Sequence, residues 1–125
     1  MMSRVFGLHF YARASQNSYM NNTTRAIQII EKEYANKLTV NDIAVSLGIS
    51  PDHLSRQFKK TTGFTPSEYL RRYRFAKALE LLRCQKPIGE VARETGFQDI
   101  NYFSREFKAF FDMTPTEFQK QAVLL

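Results

Sequence analysis

Apolar residues recur at helical spacing along almost the whole chain. From Thr24, Ile27, Ile30 and Tyr34 fall on one stripe with Arg25, Gln28, Glu31 and Lys32 between them, which predicts a helix ending near Asn36 with one face on a core. In "LTVNDIAVSLG", Asn41 or Thr39 can cap a short helix whose buried face is Ile43, Ala44 and Leu47, and Gly48 supplies a left-handed stop. "ISPDHLSRQFKKTTG" opens with Ser50 as N-cap and Pro51 at the first helical position, and closes at Gly63. "TPSEYLRRYRFAKALELLRCQKP" predicts a longer helix ended by Pro87. It is apolar on two sides, Tyr69, Tyr73 and Ala76 and then Phe75, Ala78 and Leu82, as expected of a helix packed between two neighbours. "IGEVARETG" is a second short helix ending at Gly96. A three-residue turn follows, then "INYFSREFKAFF" capped by Asp99, and a last helix from Thr114 or Pro115. The expectation is an all-α chain of about seven helices without strands. Residues 1–22 show no sustained period and read as a loosely ordered leader or stub.

The chain carries one sentence twice. "SRQFKKTTGFTPSEY" and "SREFKAFFDMTPTEF" align at a shift of 49 residues, pairing Ser55 with Ser104, Arg56 with Arg105, Phe58 with Phe107, Lys59 with Lys108, Thr65 with Thr114, Pro66 with Pro115 and Glu68 with Glu117. Upstream, Ala44 meets Ala92 and Gly48 meets Gly96 at a shift of 48, so the second turn is one residue longer. Short helix, glycine, tight turn and second helix is the helix-turn-helix order. Projected at about 100° per residue, the second helix of each copy separates two faces. Leu54, Phe58 and Thr61, and Phe103, Phe107 and Phe110, form the inward faces. Asp52, Ser55, Arg56 and Lys59, and Asn101, Ser104, Arg105 and Lys108, form the outward ones.

Composition narrows the use of those faces. At 125 residues there is room for one compact unit or two very small ones. A net charge of +6 calls for an anionic partner, nucleic acid or an acidic membrane surface. One cysteine, Cys84, forms no disulfide framework, and with His9 and His53 it offers no zinc spacing, so the chain reads as intracellular, without metal or cofactor. The opening "MMSRVFGLHFYARA" faintly resembles a secretory leader, but its apolar stretch is short and contains His9. No apolar run approaches the ~20 residues of a membrane span. Ser55, His53 and Asp52 include the residue types of a hydrolytic triad, yet on a helix His53 points away from the other two, and no enzyme is expected.

The chemistry favours duplex DNA over membrane. Arg56 and Arg105 can each grip guanine O6 and N7 with two bonds, and Asn101 can do the same for adenine N6 and N7. Lys59, Lys60 and Lys108, further along, reach phosphates. So can members of the cationic run Arg71, Arg72, Arg74 and Lys77. A membrane-binding helix would expose large apolar residues opposite its basic face, whereas here the phenylalanines are needed inside.

The stretch from about Thr24 to Gln119 resembles the DNA-binding domain of AraC-type (AraC/XylS family) transcription regulators, most specifically in "GFQDINYFSREFKAFFDMTPTEF" and also in "LGISPDHLSRQFKKTTGFTPSEYLRRYR". The resemblance implies one domain over 23–125: a first helix-turn-helix at about 39–63, a shared central linker helix at about 66–84 and a second helix-turn-helix at about 87–112. It places base-reading residues at Asp52, Ser55 and Arg56, and at Ile100, Asn101, Ser104 and Arg105. It also implies a cytoplasmic activator of transcription that contacts RNA polymerase and binds double-stranded DNA; the two reading faces make one monomer sufficient for that binding and leave the oligomeric state open. Two positions depart from the family pattern. Asp112 stands where the family often has glycine, as this chain does at Gly63, so the last loop should be less firmly set. Ile100 cannot hydrogen-bond a base edge and offers at most contact to a thymine methyl.

A linker helix of about Ser67 to Arg83 is ~26 Å long, while reading helices on one face of B-DNA sit about 34 Å apart. Side-chain reach and oblique placement cover the difference, or the DNA bends at a cost of a few kcal/mol. Because the two reading faces differ, the expected site is asymmetric, with two adjacent major-groove boxes. The alternative is a basic helical module that binds RNA or a protein partner. AraC-type regulators commonly carry a separate sensor or dimerisation domain, which residues 1–22 are too few to form. The opening methionine favours a single-domain regulator over a fragment of a longer one.

Overall fold

The computed structural model describes residues 21–124, which form seven α-helices and, among the described residues, no strand. They are α1 (Asn22–Glu33), α2 (Val40–Leu47), α3 (Pro51–Thr62), α4 (Pro66–Arg83), α5 (Ile88–Glu94), α6 (Ile100–Phe111) and α7 (Pro115–Leu124). Most of the expected leader, residues 1–20, lies outside the described residues; its last two positions belong to the start of α1. That helix opens two residues before Thr24 because the Asn21 carboxamide oxygen accepts from the Thr24 N–H at 2.8 Å. It also stops at Glu33, short of Asn36, where the Asn36 N–H turns back to the Glu33 carbonyl.

Local signals fix most other ends. Of the two possible caps for α2, Thr39 is the one used, in a reciprocal box: its hydroxyl accepts from the Asp42 N–H and the Asp42 carboxylate accepts from the Thr39 N–H, both at 3.0 Å. Ser50 caps α3 with Pro51 at its first position, and Asp99 caps α6. The repeated Thr-Pro-x-Glu forms the same box twice. Thr65 and Glu68 start α4, Thr114 and Glu117 start α7, and in each the threonine N–H donates to the glutamate at 2.9 Å. Gly63 closes α3 at φ 86° and Asp112 closes α6 at φ 64°, so the aspartate adopts the left-handed backbone that its position demands. α5 ends at Glu94 with Thr95 as its cap, two residues short of Gly96. The Thr95 hydroxyl, fully buried, donates to the Val91 carbonyl at 2.7 Å.

The described chain divides into two compact units, one ending at Tyr73 and one beginning at Arg74, so α4 contributes to both. In the first unit, Ala26, Ile27, Ile30, Ile43, Ala44, Leu47, Leu54, Phe58, Tyr69, Leu70 and Tyr73 form the core. In the second, Phe75, Ala78, Leu82, Val91, Ala92, Phe97, Phe103 and Phe107 do so, with Phe110, Phe111 and Phe118 packed against them. Two inward assignments need correction. Thr61 is exposed; its neighbour Thr62 is half-buried, because the Thr62 hydroxyl donates to the Phe58 carbonyl at 2.8 Å and accepts from the Phe64 N–H at 3.1 Å. Ala76 is only half-buried. The end of α4, one residue before the expected 84, is tied to α7 by Gln119, whose amide donates to the Leu82 carbonyl at 3.4 Å and, just past the helix, to the Lys86 carbonyl at 2.6 Å.

Candidate nucleic-acid interface

Each unit presents one helix whose buried side is committed to the core and whose other side is free for a ligand. On α3, Leu54 and Phe58 are fully buried, while Asp52, Arg56, Lys59 and Lys60 are exposed and Ser55 is half-buried. On α6, Phe103 and Phe107 are fully buried, Asn101, Arg105 and Lys108 are exposed, and Ser104 is half-buried. The sequence-predicted residues therefore gather on one outward face within each unit. Ile100 is 44 % exposed. Its Cδ1 would stand 3.6 Å from a Cβ at Gly89, so it packs in part on α5 while leaving apolar surface at the start of α6.

The charges on these faces have organised surroundings. The Glu68 carboxyl is held below the usual carboxylate range, chiefly by the Thr65 backbone N–H it accepts from, with Lys59 and Arg72 adding to the effect. Glu117 is lowered in the same way by the Thr114 N–H, with help from Lys108 and Lys120. Each capping box thus sets an anion near a lysine of the preceding helix, Lys59 on α3 or Lys108 on α6.

The linker cations are not alike. Arg71 and Arg72 are exposed, and the Arg72 guanidinium lies 4.4 Å from the centre of the Phe64 ring, so it also braces the turn before α4. Arg74 is half-buried, and burial pushes its guanidinium below the usual range while Tyr102 opposes that shift. Lys77 pairs with Glu80 at 3.9 Å.

Two features escaped the sequence reading. The Thr-x-x-Glu spacing of the capping boxes was visible in "TPSE" and "TPTE". Tyr102 was not, since an aromatic beside Phe103 reads as core; it is 46 % exposed, with its ring 5.8 Å from the Arg105 guanidinium. Among the described residues there is no group of side chains able to hold a metal ion, and no helix long and apolar enough to cross a membrane.

A family model described as a helix-turn-helix domain matches residues 30–121. A transcriptional regulator of Chromobacterium violaceum, described as carrying an AraC-type DNA-binding domain, superposes with a TM-score of 0.73 at 31% identity, over 81% of this chain and 91% of that one. The chain belongs to the AraC-type helix-turn-helix family. Another member of similar fold is the C-terminal domain of AraT, a response regulator from Geobacillus stearothermophilus, with a TM-score of 0.77 at 33% identity, over 80% of this chain and 84% of that one. The transcriptional regulatory protein HptR of Staphylococcus aureus is 36% identical over 93 residues, which are 74% of this chain and 37% of that protein. The chain spans less than two-fifths of the length of the curated relatives it matches. What it shares with the AraC-type family is the DNA-binding region.

Proposed function

We propose that this chain is a sequence-specific double-stranded DNA-binding regulator of transcription, in which one monomer reads two adjacent major-groove segments of an asymmetric site. The observation that carries this reading is the pair of outward faces on α3 and α6. They hold arginine and serine at equivalent positions, Arg56 and Ser55, Arg105 and Ser104, but differ at Asp52 against Asn101. Equivalent arginines give each face a two-bond grip on guanine, and the differing neighbours make the two boxes unlike. Asn101 reads adenine, the exposed part of Ile100 meets a thymine methyl, and Asp52 accepts from a cytosine amino group.

Lys59, Lys60 and Lys108 neutralise phosphates and set register. Arg71 and Arg74 serve the same purpose on α4, as does Arg72 if it leaves Phe64. Where the linker falls short of a helical turn of DNA, the duplex bends to meet both faces. In this proposal the chain works in the cytoplasm and activates transcription through contact with RNA polymerase.

Binding to a preferred duplex, a scrambled duplex and RNA, over a salt series, tests the proposal. Arg56→Ala should weaken the preferred duplex by about 1–3 kcal/mol and the scrambled one little, whereas Lys59→Ala should weaken both and reduce the salt slope by about one. Equal losses for Arg56→Ala on both duplexes would reject its reading role. Preference for RNA or a protein over every duplex would favour the basic-module alternative.

A further inference from the structure

The two reading arginines sit in different surroundings. Tyr102 lies on α6 one turn before Arg105, and the Arg105 guanidinium is 5.8 Å from its ring centre, inside the ~6 Å range of a cation–π contact. The ring is itself backed by the turn residue Phe97, whose ring centre is 6.3 Å away and which is only 7% exposed. A line of contacts therefore runs from the core through Phe97 and Tyr102 to Arg105. In the first copy the residue equivalent to Tyr102 is His53, and among the described residues no ring, ion-pair or hydrogen-bond partner engages the Arg56 guanidinium.

We propose that Tyr102 is a positioning residue that holds the Arg105 guanidinium ready for its base, so that the second reading helix discriminates sequence more sharply than the first. This rests on the reading of Arg56 and Arg105 as base-contacting residues. A ring engages the flat face of a guanidinium and leaves its in-plane N–H fork free, and that fork is what grips guanine O6 and N7. An arginine already restrained loses less freedom on binding than one that samples many rotamers. Arg56 must be ordered by the DNA itself, and the first box tolerates base changes more readily. Tyr102 also favours the charged form of the half-buried Arg74 on α4, so it lies near a second cation of the same unit.

The test compares discrimination, measured as the affinity ratio between a preferred duplex and the same duplex with the guanine under one arginine replaced. Tyr102→Leu should lower the ratio at the Arg105 base about two- to fivefold and leave affinity for scrambled DNA unchanged, while Tyr102→Phe keeps the ring and the ratio. In an Arg105→Ala background, Tyr102→Leu should have no further effect on that ratio. The reciprocal change His53→Tyr should raise the ratio at the Arg56 base.

If Arg105→Ala itself leaves the ratio unchanged, the base-reading role is lost. If Arg105→Ala abolishes the ratio while Tyr102→Leu does not move it, the positioning role alone is overturned. Loss in Tyr102→Phe equal to that in Tyr102→Leu would assign the effect to the hydroxyl and overturn it too. Should Tyr102→Leu fail to fold, the Phe and His53→Tyr variants decide.

Discussion

The two helix-turn-helix units use one exterior plan over two different interiors. The first unit fills its core with isoleucine and leucine around a single phenylalanine, Phe58, whose ring meets Tyr69 at 5.3 Å. In the second, four of the eight buried core residues are phenylalanine. Phe107, the equivalent of Phe58, meets the rings of Phe75, Phe103, Phe111 and Phe118 at 4.5 to 6.1 Å. What both units share are the helix ends and the outward cations: the Thr-Pro-x-Glu box, a left-handed closing residue, and serine, arginine and lysine at matching positions. Core volume can be filled in many ways, whereas the direction in which a helix presents its outer face depends on where its caps hold it.

The largest expected effect separates the interiors. Phe107→Ala should destabilise by about 3–5 kcal/mol, and Phe58→Ala, with fewer ring partners, should fall lower in that range or beneath it. Denaturant titration of both variants checks this, and equal losses would remove the distinction between the cores. Next come the outward faces. Arg105→Ala should cost about 1–3 kcal/mol on the preferred duplex and more than Arg56→Ala does, read by a binding titration of each.

The closing residues differ by a smaller amount. Gly63→Ala forces a side chain into a left-handed backbone and should destabilise by about 1–2 kcal/mol, while Asp112→Gly relieves the same strain and should stabilise by up to about 1 kcal/mol. A melting-temperature shift of the same sign for both would contradict the equivalence of the two positions.

The smallest effect should be common to both units. Glu68 and Glu117 have folded-state values below their ordinary 4.5, so each contributes stability above that pH and loses it as pH falls through the lowered value. The stability difference between the native chain and Glu117→Gln should therefore be present at neutral pH and vanish in acid. A difference that grows in acid would reverse the sign.

Most helix boundaries were legible because single residues set them. Ser50 with Pro51, Asp99, Gly48 and Gly63 each act through one hydrogen bond or one backbone angle. Where two neighbours can do the same work, the sequence is ambiguous. Thr39 and Asn41 are both good caps, and only the return bond from Asp42 selects Thr39. Thr61 and Thr62 are adjacent on α3, and the turn at Phe64, which the projection did not include, draws the Thr62 hydroxyl inward. Asn21 and Asn22 read as the tail of a polar stretch, though the first caps α1.

On the outward faces the arginines, lysines and Asn101 were found from spacing alone. Tyr102 was missed because its exposure depends on Phe97 occupying the core position beside it. At the upstream shift of 48, Phe97 stands where the first copy has Ile49, so the ring that backs Tyr102 is a substitution at a shared turn position.

The central claim is that one chain carries two unlike reading faces for a single duplex. Selecting bound sequences from a random pool of DNA duplexes, with the protein kept monomeric, tests it most directly. The account expects two different boxes centred about one helical turn apart, with the sharper base preference in the box read by α6. A palindromic site, or a single box with no preference beyond it, would contradict the claim.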